Sequence, residues 1–326
     1  MITDAAKKVA SLVEKRIELP LGKPSFRPER YYKVNEFSVD NFKKIELLQQ
    51  DSYMRGLAHS QPDAAPSVQL RFLSFLDGGN LALIKTPSFS VHFERIYFNC
   101  FKDGQRQKLD IPDKLEFFVV GTSFESDDGI KYSTQFIPLN EEQKKYLPDE
   151  KDLVLDSYDE TMKEGQQQME IGKVGDIARS FAEWNYAKFV CEELSEGDIF
   201  VRDGTLQAPY TNQAKYAEAA YDASRKNGVF FCGVAKTTQL YTTTGLPLVA
   251  AIGRLSRENN IKAPGYYEKL VDITDPSHKA DLNLARLHAM ADHTFRIEIL
   301  KEQKGHKDKI MSALAENSKD ISFPGY

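Results

Sequence analysis

The chain has 326 residues, of which 41% are hydrophobic and 11% aromatic, so it can form a sizeable core and is not a disordered chain. Its formal net charge is −5, with 43 Lys and Arg against 48 Asp and Glu, and this excludes an overall basic surface for nucleic acid. The longest apolar run, residues 246–252, has seven residues, whereas a membrane span needs about 20. We therefore expect a soluble protein that contacts no membrane, and any polyanion must be bound by a local basic groove or through cations.

The cysteines and the N-terminus indicate the cellular compartment. Charged residues interrupt the first 19 positions, which lack the apolar stretch of a signal peptide. Cys100, Cys191 and Cys232 are far apart and have apolar neighbours, so we expect three buried free thiols. Both observations favour a reducing, cytoplasmic location.

Residues 1–67 are predicted to be helical and extended additions that serve dimerisation. Apolar residues at helical spacing predict helices at 4–17 and 39–48, with an extended connector at 20–34. Residues 56–67 are expected to form a loop, and the main domain is expected to occupy residues 68–326.

Alternating apolar residues predict a β-rich segment after position 67. A three-stranded antiparallel meander and then a further strand pair are expected at residues 68–76, 80–84, 88–100, 115–120 and 132–138. The turn between the first two strands is expected at Asp77-Gly78-Gly79. The highly charged residues 140–168 are predicted to be an exposed insertion.

Helical and strand patterns alternate in the second half of the chain. Helices are expected at residues 169–194, 213–226, 246–257 and 307–315, and strands at 198–201, 229–234 and 293–300. Three antiparallel strands followed by βα units are the element order of an α/β protein with a ribonuclease H-like core and a mixed sheet. Right-handed crossovers then place strand 198–201 parallel to strand 68–76.

Two apolar strands are each followed by an acidic residue and glycine, at Asp77 and Asp203. Asp-Gly is also the commonest turn dipeptide, so either residue by itself is more simply explained as a turn residue. If the two strands are parallel neighbours, both carboxylates emerge at one sheet edge. Glu183 is the third candidate, because a carboxylate within the apolar stripe of the intervening helix is costly unless it is paired or binds metal. Three oxygen ligands suit Mg²⁺ or Mn²⁺ rather than Zn²⁺.

Lys236 follows the next predicted strand and would project toward the same edge. Its ammonium could neutralise a phosphate or a developing oxyanion, and the alternative is a solvated lysine at a strand end. The histidines are weaker candidates. His92 is typical of a packing residue, and His288 and His293 lack the spacing of a metal site.

These residues belong to a series of short motifs that continues to the end of the chain. In order, the motifs are Leu76-Asp77-Gly78-Gly79, the helix with Glu183, Phe200-Val201-Arg202-Asp203-Gly204-Thr205-Leu206, Gly233-Val234-Ala235-Lys236-Thr237, Thr294-Phe295-Arg296-Ile297-Glu298 and Pro324-Gly325-Tyr326. The ordered set resembles the NurA nuclease family, from about residue 68 onward.

The resemblance implies a ribonuclease H-like fold and a ring-like homodimer. It also implies a Mn²⁺-dependent DNA nuclease with 5′→3′ exonuclease and single-strand endonuclease activity. The implied partners are DNA, as single strands and duplex ends, and a hexameric HerA translocase that acts with the nuclease in recombinational repair. By motif match, Asp77, Glu183 and Asp203 would be metal ligands, and Lys236 and Tyr326 would be the active-site lysine and tyrosine.

Two departures from the family pattern leave alternatives open. Gly79 stands where the first motif usually has serine, and the histidine that follows the family's tyrosine is missing because the chain stops at Tyr326. Either the chain is truncated or another residue supplies that ligand. A catalytically inactive adaptor on a translocase ring, with a vestigial acidic cluster, is therefore the main alternative, and a metal-dependent phosphatase is a weaker one.

Overall fold

The computed structural model describes residues 24–25, 32–35, 37–47, 72–102, 104–159, 168–238, 240–273, 275, 277–291 and 293–318. The helix expected at 4–17, the loop expected at 56–67 and Tyr326 lie outside the described residues.

Strands dominate the described residues. In chain order they are β1 (Pro24–Ser25), β2 (Tyr32–Val34), β3 (Phe42–Lys44), β4 (Leu73–Lys85), β5 (Phe89–Lys102), β6 (Gln105–Gln107), β7 (Lys114–Ser126), β8 (Gly129–Pro138), β9 (Leu155–Asp156), β10 (Ile199–Asp203), β11 (Phe230–Ala235), β12 (Tyr241–Thr242), β13 (Gly265–Tyr267), β14 (Val271–Ile273), β15 (Ala280–Arg286) and β16 (Phe295–Leu300). The α-helices are α1 (Val174–Glu193), α2 (Ala214–Asn227), α3 (Leu248–Glu258) and α4 (Lys307–Asn317).

One mixed sheet of 12 strands organises the fold, in the order β3-β13-β15-β16-β11-β10-β4-β5-β7-β8-β9, with β6 paired to β5. Strands β4, β5 and β7 form an antiparallel meander. On the other side of β4, strands β10 and β11 are parallel to it and to each other. This arrangement confirms the α/β class and the ribonuclease H-like core.

Strand β4 corrects the turn predicted at Asp77-Gly78-Gly79. These residues continue one strand of 13 residues, in which Asp77 lies opposite Tyr97 and Gly78 opposite Ile96. Pairing with β5 along the whole segment outweighs the local turn preference of Asp-Gly-Gly. The meander therefore consists of β4, β5 and β7, and the predicted pair at 115–120 and 132–138 corresponds to β7 and β8.

The helix predicted at 39–48 is wrong. A 3₁₀ turn at Val39–Asn41 is capped by Ser38 and leads directly into β3, which pairs with β13. Phe42, an apolar residue of this segment, packs between strands instead and makes an edge contact with Tyr267 at 5.3 Å between ring centroids. Strands β13, β14 and β15 were not predicted: β13 and β15 join β3 to the large sheet, and β14 pairs with β2 in a separate two-stranded sheet.

The charged residues 140–168 are only partly exposed where they are described. Two 3₁₀ helices, Glu141–Tyr146 and Glu150–Leu153, bury Tyr146 and Leu153, and β9 buries Leu155. The Tyr146 ring packs edge-on against Phe189 of α1, at 4.9 Å. These few apolar residues are irregularly spaced, so the sequence pattern did not predict that the segment packs over α1.

Helices cover both faces of the central strands. On one face, Trp184 of α1 and Tyr221 of α2 pack on Phe231 of β11, at 6.0 and 5.1 Å between ring centroids. On the other face, the apolar side of α4 joins Phe75 and Val201 in a second core. All six residues of β11 are buried, and the three cysteines are buried free thiols, as expected. None of the described helices has the length and apolar character that a membrane crossing requires.

Candidate active site

Asp77 and Asp203 lie side by side on adjacent parallel strands. The last paired residues of β4 and β10 are Leu76 and Arg202, and Asp77 and Asp203 are the next residues of the two strands. Burial raises the pKa of Asp77, and the negative charge of Asp203 raises it further. The structure thus brings together the two strand-borne carboxylates that the sequence singled out.

Asp77 is held in place by two donors. Its Oδ1 accepts from the backbone N–H of Gly78 at 2.7 Å, and its Oδ2 accepts from the Tyr97 hydroxyl at 3.2 Å. Burial, followed by the charge of Asp77, raises the pKa of Tyr97 to about 12, so this hydroxyl stays a donor at neutral pH. Tyr97 was not among the predicted site residues, because its position opposite Asp77 emerges only from the register of β4 and β5.

Lys236 contacts the second carboxylate. Strand β11 lies beside β10, with Val234 opposite Asp203, and Lys236 follows two residues later. The Lys236 ammonium donates to Asp203 Oδ2 at 2.7 Å. Three of the predicted site residues therefore lie on three neighbouring strands.

Glu183 is close to this group, but both of its oxygens are engaged. Its side chain is 2% exposed; Oε1 accepts from Arg179, and Oε2 accepts from Arg202 at 2.5 Å. Arg179 also donates to the carbonyl of Gly78 at 3.2 Å. Burial raises the pKa of Glu183, and Arg202 and Arg179 oppose this effect. The two arginines were not anticipated, since their roles depend on how α1 packs across β4 and β10.

A second buried carboxyl, Glu94 on β5, lies near Arg179. It is fully buried, and neither of its carboxyl oxygens has a hydrogen-bond partner among the described residues. Burial raises its pKa to about 9, although Arg179 acts in the opposite direction. Glu94 is therefore neutral at pH 7. Its inward position in the alternation of β5, next to His92, is the sequence signal that could have found it.

The surroundings of His92 and His293 bear on the roles that the sequence allowed them. His92 is buried, with Nδ1 at 3.0 Å from Asn80 Oδ1, and its ring packs against the backbone of Gly175, in line with a packing role. His293 is exposed, and its Nε2 lies 3.0 Å from the carbonyl oxygen of Lys236. No role was predicted for His293, because it lacks a partner at metal-ligand spacing.

The donor set at Asp77 and Asp203 fits a hard divalent cation that is shared with a phosphate. Among the described residues, no three His, Cys, Asp or Glu side chains are gathered into a metal-binding group. Mg²⁺, however, is usually held by one or two carboxylates, with waters and substrate phosphates as its other ligands. Two adjacent carboxylates that repel each other provide such a pair, and a bound cation would relieve that repulsion.

No protein-family model matches the sequence, and no curated protein matches it. Solved structures are similar to it at low identity. The NurA nuclease from Sulfolobus solfataricus is 9% identical, with a TM-score of 0.41, over 99% of this chain and 85% of that one. The family that the motifs resemble is thus represented among the similar structures.

Endonuclease V structures are also similar to this chain. The protein from Ciona intestinalis, in complex with an inosine-containing DNA, is 10% identical over 84% of this chain and 88% of that one, with a TM-score of 0.35. The catalytic domain of human endonuclease V is 11% identical over 79% and 78% of the two chains, with a TM-score of 0.34.

Proposed function

We propose that this protein is a divalent-metal-dependent nuclease that hydrolyses phosphodiester bonds of DNA. The observation that carries the proposal is the row formed by Asp77, Asp203 and Lys236 on three neighbouring strands, with Lys236 in contact with Asp203. Two carboxylates and an ammonium at one sheet edge are suited to a metal and a phosphate, respectively.

In this proposal Asp77 and Asp203 hold Mn²⁺ or Mg²⁺, which would polarise the phosphate and lower the pKa of the attacking water. The protein's own groups orient the ligands: the Gly78 N–H and the Tyr97 hydroxyl fix the two oxygens of Asp77. Lys236 places a positive charge where negative charge develops on the phosphate during cleavage.

Glu183 is proposed as the third acidic residue of the site. Its ion pair with Arg202 links α1 to β10, and Arg179, its ion-pair partner within α1, links the helix to β4 through the Gly78 carbonyl. Direct ligation of a metal would require one of these arginines to release an oxygen. We therefore assign Glu183 a positioning role in the free protein. It would become a metal ligand only after one of the arginines has released an oxygen of its carboxylate.

The finer assignments follow the resemblance to the NurA family. We propose 5′→3′ exonuclease and single-strand endonuclease activity, a role in DNA end processing for recombination, a homodimer and a HerA-type hexameric translocase as partner. Tyr326 is proposed as the active-site tyrosine on the same basis.

The proposal is tested with purified protein and DNA labelled at the 5′ or the 3′ end. Cleavage of single strands and duplex ends is expected with Mn²⁺ or Mg²⁺ and not with EDTA, and Asp203→Asn should reduce it by a factor of 100 or more, on the order of the loss of one essential catalytic group. The order in which label is released gives the polarity. Near-wild-type cleavage by Asp203→Asn would overturn the site.

The same assays distinguish the alternatives. Hydrolysis of small phosphoesters without cleavage of DNA would indicate a phosphatase. Absence of any cleavage by the wild-type protein, together with binding to a hexameric translocase, would indicate an adaptor. The engagement of both Glu183 oxygens by arginines is the observation that favours the adaptor.

A further inference from the structure

The sheet edge that carries the two carboxylates continues into basic residues on one side. Strand β16 runs antiparallel to β11, with Arg296 opposite Ala235, so His293 lies at the end where β11 leads into Lys236. Strand β15 pairs with β16, with Ala285 opposite Phe295, so Arg286 lies at that same end.

His293 is fixed at this edge by two contacts. A carbonyl oxygen only accepts hydrogen bonds, so Nε2 of His293 carries the hydrogen that it donates to Lys236 at 3.0 Å. The imidazole also packs edge-on against Phe295, with 4.5 Å between ring centroids. These contacts leave Nδ1 to interact with a ligand, and it becomes a donor when the ring is protonated.

Arg286 is fixed in a comparable way. Its Nε and Nη2 donate to the carbonyl of Ala291 at 3.1 and 2.8 Å, and its side chain is half-buried. Ala291 belongs to the segment that leads into His293, so one short loop orients both cationic groups. Nη1 takes no part in these two bonds.

On the other side of the acidic pair, the cations of the described strands are partly neutralised by a shared carboxylate. There Tyr97 lies opposite Asp77, and Lys114 of β7 lies opposite Tyr97. The ammonium of Lys114 and the guanidinium of Arg95 both pair with Glu116, at 2.8 and 2.5 Å. A polyanion that leaves the acidic pair is therefore attracted toward Lys236, His293 and Arg286.

On the basis of the nuclease function proposed above, we propose that His293 and Arg286 bind backbone phosphates of the DNA strand next to the phosphate at Asp203 and Lys236. Neighbouring strands are about 4.8 Å apart, which places His293 about 10 Å and Arg286 about 15 Å from the strand of Asp203. The DNA strand then crosses β11, β16 and β15. Contacts of this kind go to phosphates and are independent of base sequence.

The test measures binding of a fluorescent single-stranded oligonucleotide by anisotropy, in EDTA so that no cleavage occurs, over a series of salt concentrations. Each phosphate contact adds about 0.7 to the slope of log affinity against log salt for single strands. We expect Arg286→Gln to lower the slope by about that amount at pH 6 and pH 8.5. His293→Ala should lower the affinity severalfold, because the contact of its imidazole with a phosphate is lost.

His306 provides a matched control. It is an exposed histidine that packs on Phe230 at 4.6 Å, at the opposite end of β11. His306→Ala should leave the slope unchanged, and Arg286→Lys should retain most of it if Arg286→Gln folds poorly. An unchanged affinity for His293→Ala together with an unchanged slope for Arg286→Gln, in a protein that cleaves DNA, would overturn this inference alone. A wild-type protein that neither binds nor cleaves DNA would overturn the nuclease proposal as well.

Discussion

Gly78 and Glu183 are in direct contact: a Cβ atom built on Gly78 would lie 2.5 Å from Glu183 Oε1. No side chain fits between β4 and α1 at this point, so glycine permits the buried carboxylate to lie beside the strand that carries Asp77. A Cβ on Gly79, the next residue, would meet no atom within 4 Å. The two glycines of one motif therefore differ in their structural roles.

The first prediction compares these glycines. Gly78→Ala should destabilise the protein by about 1–3 kcal/mol and lower metal-dependent cleavage, because Glu183 and Ile96 must both move. Gly79→Ala should change stability by less than about 0.5 kcal/mol. Urea unfolding and cleavage rates measure both effects. Equal free energies of unfolding and equal cleavage rates for the two variants would contradict the close approach of α1 and β4.

The second prediction separates Glu183 from Asp203. Glu183→Gln leaves the buried guanidinium of Arg202 without its carboxylate, so a loss of about 3 kcal/mol in stability is expected. Asp203→Asn should cost much less, since Lys236 is partly exposed and can be solvated. Urea unfolding of both variants at pH 7 measures the difference. A stable Glu183→Gln protein would show that the two arginine pairs contribute little.

The third prediction concerns Lys236. If its ammonium acts on charge that develops during cleavage, Lys236→Ala should lower kcat by about 100-fold and change KM little. Lys236→Arg should recover part of kcat, because it restores the charge beside Asp203. Steady-state kinetics on a short oligonucleotide separate the two constants. An increase in KM at unchanged kcat would instead identify Lys236 as a phosphate contact in the ground state.

The fourth prediction follows from Glu94. Its pKa of about 9 in the folded protein exceeds the ordinary value of about 4.3, so the unfolded chain loses a proton that the folded protein keeps. Stability is therefore lost as the pH rises from about 4.3 toward 9, by up to about 1.4 kcal/mol per pH unit. Glu94→Gln removes this loss, so the variant should gain stability relative to wild type between pH 5 and pH 8.

Urea unfolding at several pH values measures this gain, and Glu125→Gln on the exposed side of β7 is the control. A difference between Glu94→Gln and wild type that stays constant with pH would show that Glu94 is ionised in the folded protein.

Periodicity predicted the elements whose stability is mainly local or that are completely buried. The helix pattern around Glu183 and Trp184 corresponds to α1, and the apolar runs before Asp203 and Lys236 correspond to β10 and β11. Strands β13 and β14 have three residues each, too few for a pattern, and exist because β3 and β2 pair with them. The continuation of β4 through Gly78 likewise depends on its partner β5.

The candidate site shows the same division. Asp77 and Asp203 could be placed at one edge from the sequence, because chain topology alone sets which strands are neighbours. The partners of the carboxylates could not be predicted from the sequence. Tyr97 is placed by the register of β4 and β5. Arg202 is placed by the packing of its guanidinium over Trp184, at 4.8 Å from the ring centroid. Such contacts combine residues distant in sequence and leave no local pattern.

Asp77 and Asp203 lie on central strands that pair with each other, and this position has a consequence for heat inactivation. Asp77 and Asp203 are attached to β4 and β10, which are hydrogen-bonded to each other and covered by helices on both faces. Segments of this kind open only with global unfolding, in contrast to sites built on mobile loops. The proposed catalytic arrangement should therefore persist until the whole domain melts, so that residual activity after heating and the loss of near-ultraviolet circular dichroism follow a single curve.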